Sequence, residues 1–127
     1  MSKKILPCPC GGAEYGSCCG RYHCGASAPD AESLMRSRYS AYALKLEPYL
    51  LATWHASTRP STLDFATGGT KWIGLEIKKF LAGSTDRATV EFVARCKVGG
   101  HAHRLHEISH FVREEGRWFY VDGKFIE

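Results

Sequence analysis

The sequence predicts an α+β domain in which helices collect on one side of a four-stranded antiparallel sheet, preceded by a small metal-binding head. Three observations lead there. Five of the six cysteines (Cys8, Cys10, Cys18, Cys19 and Cys24) fall within the first 24 residues, among glycines and with few apolar side chains. Between residues 31 and 53 the apolar positions recur at helical spacing. Beyond residue 72 they alternate with period two, in four runs separated by turn residues.

The head, residues 1–28, has almost nothing apolar beyond Ile5, Leu6, Tyr15 and Tyr22. Such a segment cannot build a core and needs a staple. Cys8-Pro9-Cys10, a gap of seven residues, and Cys18-Cys19 supply four thiols in two close pairs. Four thiolates are the shell that structural zinc prefers, and Gly11, Gly12 and Gly16 let the loop fold back around an ion. A redox-active dithiol or disulfides are the competing readings, although the Cys-x-x-Cys spacing of reactive thiols is absent. Cys24 is either a spare ligand or an exposed thiol, and Cys96 reads as a small core hydrophobe.

In the body, residues 29–127, Pro29-Asp30 opens the first helix, with Asp30 as N-cap and Glu32 in the first turn, where the helix dipole favours negative charge. Ala31, Leu34, Met35, Tyr39 and Tyr42 share one face; Arg36 and Ser37 fall mostly outside it and Arg38 lies at its edge. Pro48 starts a second short helix running to Thr53. Arg59-Pro60 begins a third short helix or turn that ends before Gly68-Gly69. In the first strand Ile73, Leu75 and Ile77 alternate with Trp72, Glu76 and Lys78. In the second, Val90, Phe92, Ala94, Cys96 and Val98 form a face; in the third, His103, Leu105, Glu107, Ser109 and Phe111; in the fourth, Trp118, Tyr120 and Asp122. Residues 83–86, 99–100 and 114–116 carry the turn chemistry between them.

Composition narrows the function classes. A chain of 127 residues with 44% hydrophobic content is neither disordered nor fibrous. The net charge of +4 is spread along the chain, and no nucleic-acid motif accompanies it. No apolar run reaches the ~18 residues of a membrane span. Pro7-Cys8 cuts short the apolar stretch after Lys3-Lys4, so no signal peptide is expected, and a cytoplasmic location is.

Cys8-Pro9-Cys10-Gly11 with Tyr15 and Cys18-Cys19-Gly20 resembles the SEC-C motif, a zinc-binding module found at the C-terminus of the SecA translocation ATPase and in many uncharacterised bacterial proteins. The seven-residue central gap is one shorter than that motif's usual eight. The stretches Leu34-Met35-Arg36-Ser37-Arg38-Tyr39-Ser40-Ala41-Tyr42, Ala52-Thr53-Trp54-His55, Ser57-Thr58-Arg59-Pro60, Glu107-Ile108-Ser109-His110-Phe111 and Gly116-Arg117-Trp118-Phe119-Tyr120-Val121-Asp122-Gly123 extend the likeness. Together they resemble the YchJ-type family of SEC-C proteins from about Cys8 to Gly123. The resemblance implies an NTF2-like body, with helices in the concavity of a curved antiparallel sheet, behind a SEC-C-type head. It implies zinc as the bound ion and a protein partner docked through the head. It implies no established activity, and the fold hosts both enzymes and binding modules.

Candidate pocket residues are Arg38, Trp54, His55, Trp72, Glu107, Ser109, Trp118 and Tyr120. Glu107 is expected to pair with Arg38 and tie helix to sheet. Alternatively it forms an acid–base pair with His55, or lines a non-catalytic ligand pocket. His101, His103, His106 and His110 read as a solvated hairpin rather than a metal tract. Two functional classes follow: a zinc-stabilised protein- or ligand-binding module, which these residues favour over an enzyme, or a small-molecule enzyme or ligand-binder using the cavity. Since the body carries every periodic apolar face and all three tryptophans, a chain starting at Ser27 is expected to fold alone; circular dichroism and thermal unfolding of that fragment check this.

Overall fold

The computed structural model describes residues 6–63 and 70–126. A 3-10 turn, Tyr15–Ser17, leads into helices α1 (Cys19–His23), α2 (Ala31–Leu44) and α3 (Glu47–Ala52), followed by strands β1 (Thr70–Ala82), β2 (Arg87–Val98), β3 (His101–Glu114) and β4 (Arg117–Phe125). The strands form one antiparallel sheet in chain order, the expected meander. Gly99 and Gly100, both with positive φ, close the β2–β3 hairpin in the two-residue turn that matches strand twist.

α2 begins as its sequence dictates. Asp30 is extended and its carboxylate accepts the Ser33 N–H at 2.7 Å, and Glu32 pairs with Arg36 one turn on. The helix stops at Lys45 in the left-handed conformation, with the Leu46 N–H returning to the Ala41 carbonyl at 2.8 Å. Pro48 sits in the first turn of α3. The third short helix or turn expected from Arg59 is not found over residues 59–63, which hold only a bend at Ser61; a turn over 56–58 precedes them, and the remainder, 64–69, lies outside the described residues.

Two strand faces differ from simple alternation, each because of a bulge. Between Trp72 and Gly74 the register of β1 shifts against β2, so Trp72 stands opposite Cys96 and Leu75 opposite Ala94. Trp72 therefore joins Leu75 and Ile77 on the face that meets α2, while Ile73 is left 49% exposed. In β4, Phe111 pairs with Tyr120 but His110 pairs with Asp122. The extra residue turns Asp122 away from Trp118 and Tyr120 to the outer face, where it bonds His110 at 2.8 Å.

The core lies between this inner face and α2. Ala88, Val90, Phe92, Ala94 and Phe111 from the sheet meet Leu34, Met35 and Tyr39, and Cys96 is buried as expected. β4 is also stitched to the end of α3: the Tyr120 N–H donates to the Thr53 carbonyl at 2.8 Å and the His55 N–H to the Tyr120 carbonyl at 2.7 Å. No helix among the described residues is long and apolar enough to cross a membrane.

The opposite side of α2 is covered too. Ser37 and Ser40 lie off the apolar stripe yet are fully buried, because the cysteine-rich segment packs over them. Cys8 and Cys19 join the same buried cluster as Leu34 and Tyr39. Phe111, 1% exposed and edge-on to Tyr120, anchors the sheet side. Phe111→Ala should cost about 3–5 kcal/mol of stability, measurable by denaturant titration.

Candidate functional site

The four head thiols converge. Cys8 and Cys10 flank a tight turn in which the Cys8 N–H bonds the Gly12 carbonyl at 3.0 Å and the Gly11 N–H the Cys8 carbonyl at 3.0 Å. Cys18 and Cys19 stand at the start of α1. All four Sγ atoms lie within 4.8 Å of one another, and Cys10 and Cys18 approach to 3.5 Å. Zn–S bonds of about 2.3 Å in a tetrahedron place sulfurs about 3.8 Å apart, so the set fits a tetrahedral metal. Among the described residues no other group of three or more metal-ligating side chains is this close. Cys24 is exposed and stands apart from the set, and the histidines of β3 do not gather: His106 bonds Glu91 and His110 bonds Asp122.

Electrostatics favour a cation there. Cys10 is drawn down to about 4, chiefly by its hydrogen bond with Cys19. Cys18 is pushed up to about 11 by burial and by Cys10, and Cys19 is pushed far above the usual thiol range by its bond to Cys10 and by burial. Unaided, Cys10 ionises readily while Cys18 and Cys19 resist ionisation. A coordinated metal reverses this, since coordinating thiols ionise. The outer shell belongs to α2: Ser40 Oγ lies 3.3 Å from Cys8 Sγ. His23 bridges head and helix, its Nε2 2.8 Å from the Ser37 carbonyl and its Nδ1 2.5 Å from the Tyr15 hydroxyl. Nε2 therefore donates to the carbonyl, and burial lowers the ring's pKa, which favours the neutral form in which Nδ1 accepts from Tyr15.

A second feature is a cavity of about 160 Å³ between α2 and the sheet. Of the residues singled out in the sequence, Arg38, Trp72, Glu107, Ser109 and Tyr120 line it. Trp54 backs Arg38 from outside the cavity, and Trp118 lines a separate cleft of about 200 Å³ against the head, with His23 and Tyr49. His55 is elsewhere. Its Nε2 meets Glu114 at 2.9 Å and its Nδ1 meets Ser57 Oγ at 2.7 Å. Glu114 lies seven residues along β3 from Glu107, about 23 Å at strand rise.

The expected ion pair between Arg38 and Glu107 is not formed. Arg38, 2% exposed, donates from Nη1 to the Leu50 carbonyl at 2.8 Å and to Thr53 Oγ1 at 2.7 Å. Its guanidinium lies against both Trp54 and Tyr120, 4.9 and 4.6 Å from their centroids, the two rings meeting edge to face. These contacts hold it to α3 and β4, away from the carboxylate. Glu107 instead accepts a short hydrogen bond from Ser109 Oγ. Burial, and then the nearby Glu107 charge, push the Tyr120 phenol well above its ordinary range. Tyr42 and Phe92 also line the cavity and were not singled out in the sequence. Tyr42 stands one turn from Arg38, which is a readable signal; Phe92 faces Glu107 through a register that the sequence does not fix.

Comparison with known proteins agrees with this architecture. Residues 30–123 match the family model described as the YchJ middle NTF2-like domain. The chain is 63% identical over 122 residues to a UPF0225 protein of Chromobacterium violaceum, covering 91% of this chain and 90% of the relative. It is 58% identical over 121 residues to a UPF0225 protein of Methylibium petroleiphilum, covering 94% and 88%. A solution structure of a SEC-C motif containing protein from Rhodopseudomonas palustris superposes with a TM-score of 0.83 at 33% identity, over 96% of this chain and all of the other. A crystal structure of a SEC-C motif containing protein from Psychrobacter arcticus gives 0.80 at 30%, over 97% and 84%.

The cysteine cluster leaves no room at Gly12, where an added Cβ would lie 2.6 Å from Cys18 Sγ. Gly12→Ala should displace that ligand and weaken metal retention by about tenfold or more, read as competition against a chromophoric chelator.

Proposed function

The chain belongs to the YchJ, or UPF0225, family of SEC-C motif proteins, and on that premise we propose that it is a zinc-stabilised, non-catalytic ligand-binding module whose site is the cavity between α2 and the sheet. The observation that carries the reading is the cavity itself: it is open space lined by Arg38, Glu107 and Ser109 as well as aromatic side chains, rather than a plugged core. An enzyme of the acid–base kind is disfavoured because His55 is committed to Glu114, far from Glu107, and proton transfer needs both groups within reach of one substrate atom.

In this reading zinc is the resident metal, held by Cys8, Cys10, Cys18 and Cys19, because a closed shell of four thiolates suits a structural ion. Residues 1–28 act as its head and 29–127 as the ligand-binding unit. A cysteine cluster used for metal rather than disulfides suits surroundings that keep thiols reduced, which supports a cytoplasmic location. A protein partner at the head is the second reading, favoured by the cleft where His23 and Tyr49 meet Trp118 and Phe119.

Two measurements test the proposal together. Metal analysis should return about one zinc per chain, and chelation should disorder the head while β2 and β3 stay protected from hydrogen exchange. A small-molecule screen read by backbone chemical shifts should perturb Tyr42, Glu107, Ser109 and Tyr120. Shifts confined to the head cleft on adding protein partners, with none in the cavity, would favour the second reading.

A further inference from the structure

Glu107 is the single acidic residue among the described residues of the sheet's inner face. Carboxylates on the outer face and at the rim are matched: Glu76 by Lys78, Glu91 by His106, Asp122 by His110 and Glu114 by His55. Glu107 has no Lys, Arg or His within ion-pair distance among the described residues, and Ser109 is its hydrogen-bond partner. A half-buried carboxylate without a counter-ion is costly.

The carboxylate is nevertheless held in place. Gly123 stands opposite Ser109 across the β3–β4 pair. A Cβ at Gly123 would overlap the Glu107 carboxylate, so the side chain lies in the groove that the missing side chain leaves. Ser109 fixes it from its own strand. Around it, Trp72, Tyr42, Phe92 and Tyr120 supply aromatic walls, and Phe125, directly opposite Glu107 and 64% exposed, marks an open rim. Arg38 cannot swing in to neutralise it, because Leu50, Thr53, Trp54 and Tyr120 already hold the guanidinium.

We propose that this cavity binds a small organic cation, an alkylammonium or methylated ammonium group, with Glu107 as its counter-ion and the surrounding rings as its walls. The inference rests on the cavity being the ligand site, as proposed above. A fixed carboxylate beside aromatic faces attracts an ammonium through both its charge and the ring quadrupoles, most strongly where water is excluded. A volume of about 160 Å³ is roughly that of five water molecules, which limits the occupant to a few carbons around the nitrogen. Arg38 lines the same cavity, and its charge disfavours a second positive charge on the ligand, so the ligand is a monocation.

The test compares isosteric probes on the full-length, metal-loaded protein: tetramethylammonium, neutral tert-butanol and anionic pivalate, each titrated while amide shifts are recorded. Tetramethylammonium should saturate shifts at Glu107, Ser109 and Gly123, with tert-butanol at least tenfold weaker. Glu107→Gln, nearly isosteric, should remove that preference while leaving spectral dispersion intact; if this variant does not fold, the probe comparison in the unaltered protein decides. Equal binding of cation and alcohol, or unchanged binding in folded Glu107→Gln, overturns the proposal but leaves the cavity a ligand site. Stronger binding of pivalate makes Arg38 the recognising charge and also overturns it. If none of the three binds at concentrations up to tens of millimolar, the cavity reading falls together with this one.

Discussion

The rest of the structure depends on α2 being buried on both sides. A helix of a small α+β domain usually shows one face to its sheet and the other to water. Here Met35, Arg38, Tyr39 and Tyr42 face the sheet, while Ser37, Ser40 and part of Arg36 lie beneath the cysteine-rich segment. The polar residues on that second side are satisfied locally. Ser37 donates to the Leu34 carbonyl at 2.8 Å, so its 2.6 Å contact with Tyr49 is one in which the tyrosine donates. Removing the head would uncover hydrogen-bonding groups as well as apolar surface. The cysteine cluster is thus attached to the core through one helix, and the free energy of binding a metal there would bear on the same helix that roofs the cavity.

That arrangement also explains where Arg38 goes. One turn of α2 carries both Arg38 and Tyr42 into the cavity, and α3 and its C-cap bring the Leu50 carbonyl and the Thr53 hydroxyl to the guanidinium. Thr53 is fixed in turn by the Tyr49 carbonyl at 2.8 Å. Trp54 and Tyr120, joined by a short parallel bridge and meeting edge to face, form an aromatic corner against the guanidinium. Burial lowers the Arg38 pKa, yet guanidinium basicity is high enough for the charge to persist. The cation is spent on joining α2, α3 and β4 rather than on neutralising Glu107.

What the sequence made legible was local. The Asp30 cap, the Pro48 start, the Gly99-Gly100 turn and the clustering of Cys8, Cys10, Cys18 and Cys19 each rest on a few neighbouring residues, and each is found where expected. The four-strand meander followed from the spacing of alternating runs. What failed depended on register. The face of Trp72 is set by a bulge in β1 and that of Asp122 by a bulge in β4, and one inserted residue reverses every side chain beyond it. The Arg38–Glu107 pair was plausible from helix periodicity, but it required knowing that Thr53 and Leu50 would reach the guanidinium first.

Two of the three register shifts in the sheet border the cavity; the third lies between Ile77 and Lys79 of β1, neither of which lines it. The β1 bulge brings Trp72 to the cavity wall; the β4 bulge falls between Tyr120, which lines the cavity, and Gly123, which makes space for Glu107. Two charges of opposite sign face the same small volume and are kept from pairing by contacts on either side. Bulges concentrate beside sites where a side chain must be re-aimed, and sequences break their own structural rules mainly where function requires it. The outer face of the sheet shows the contrast, since its carboxylates find partners and its alternation is regular along β2 and β3. A cavity left over from imperfect packing would collect apolar residues and small voids. This one collects a carboxylate without a counter-ion, a restrained guanidinium and aromatic walls, the groups on which the proposed ligand site rests.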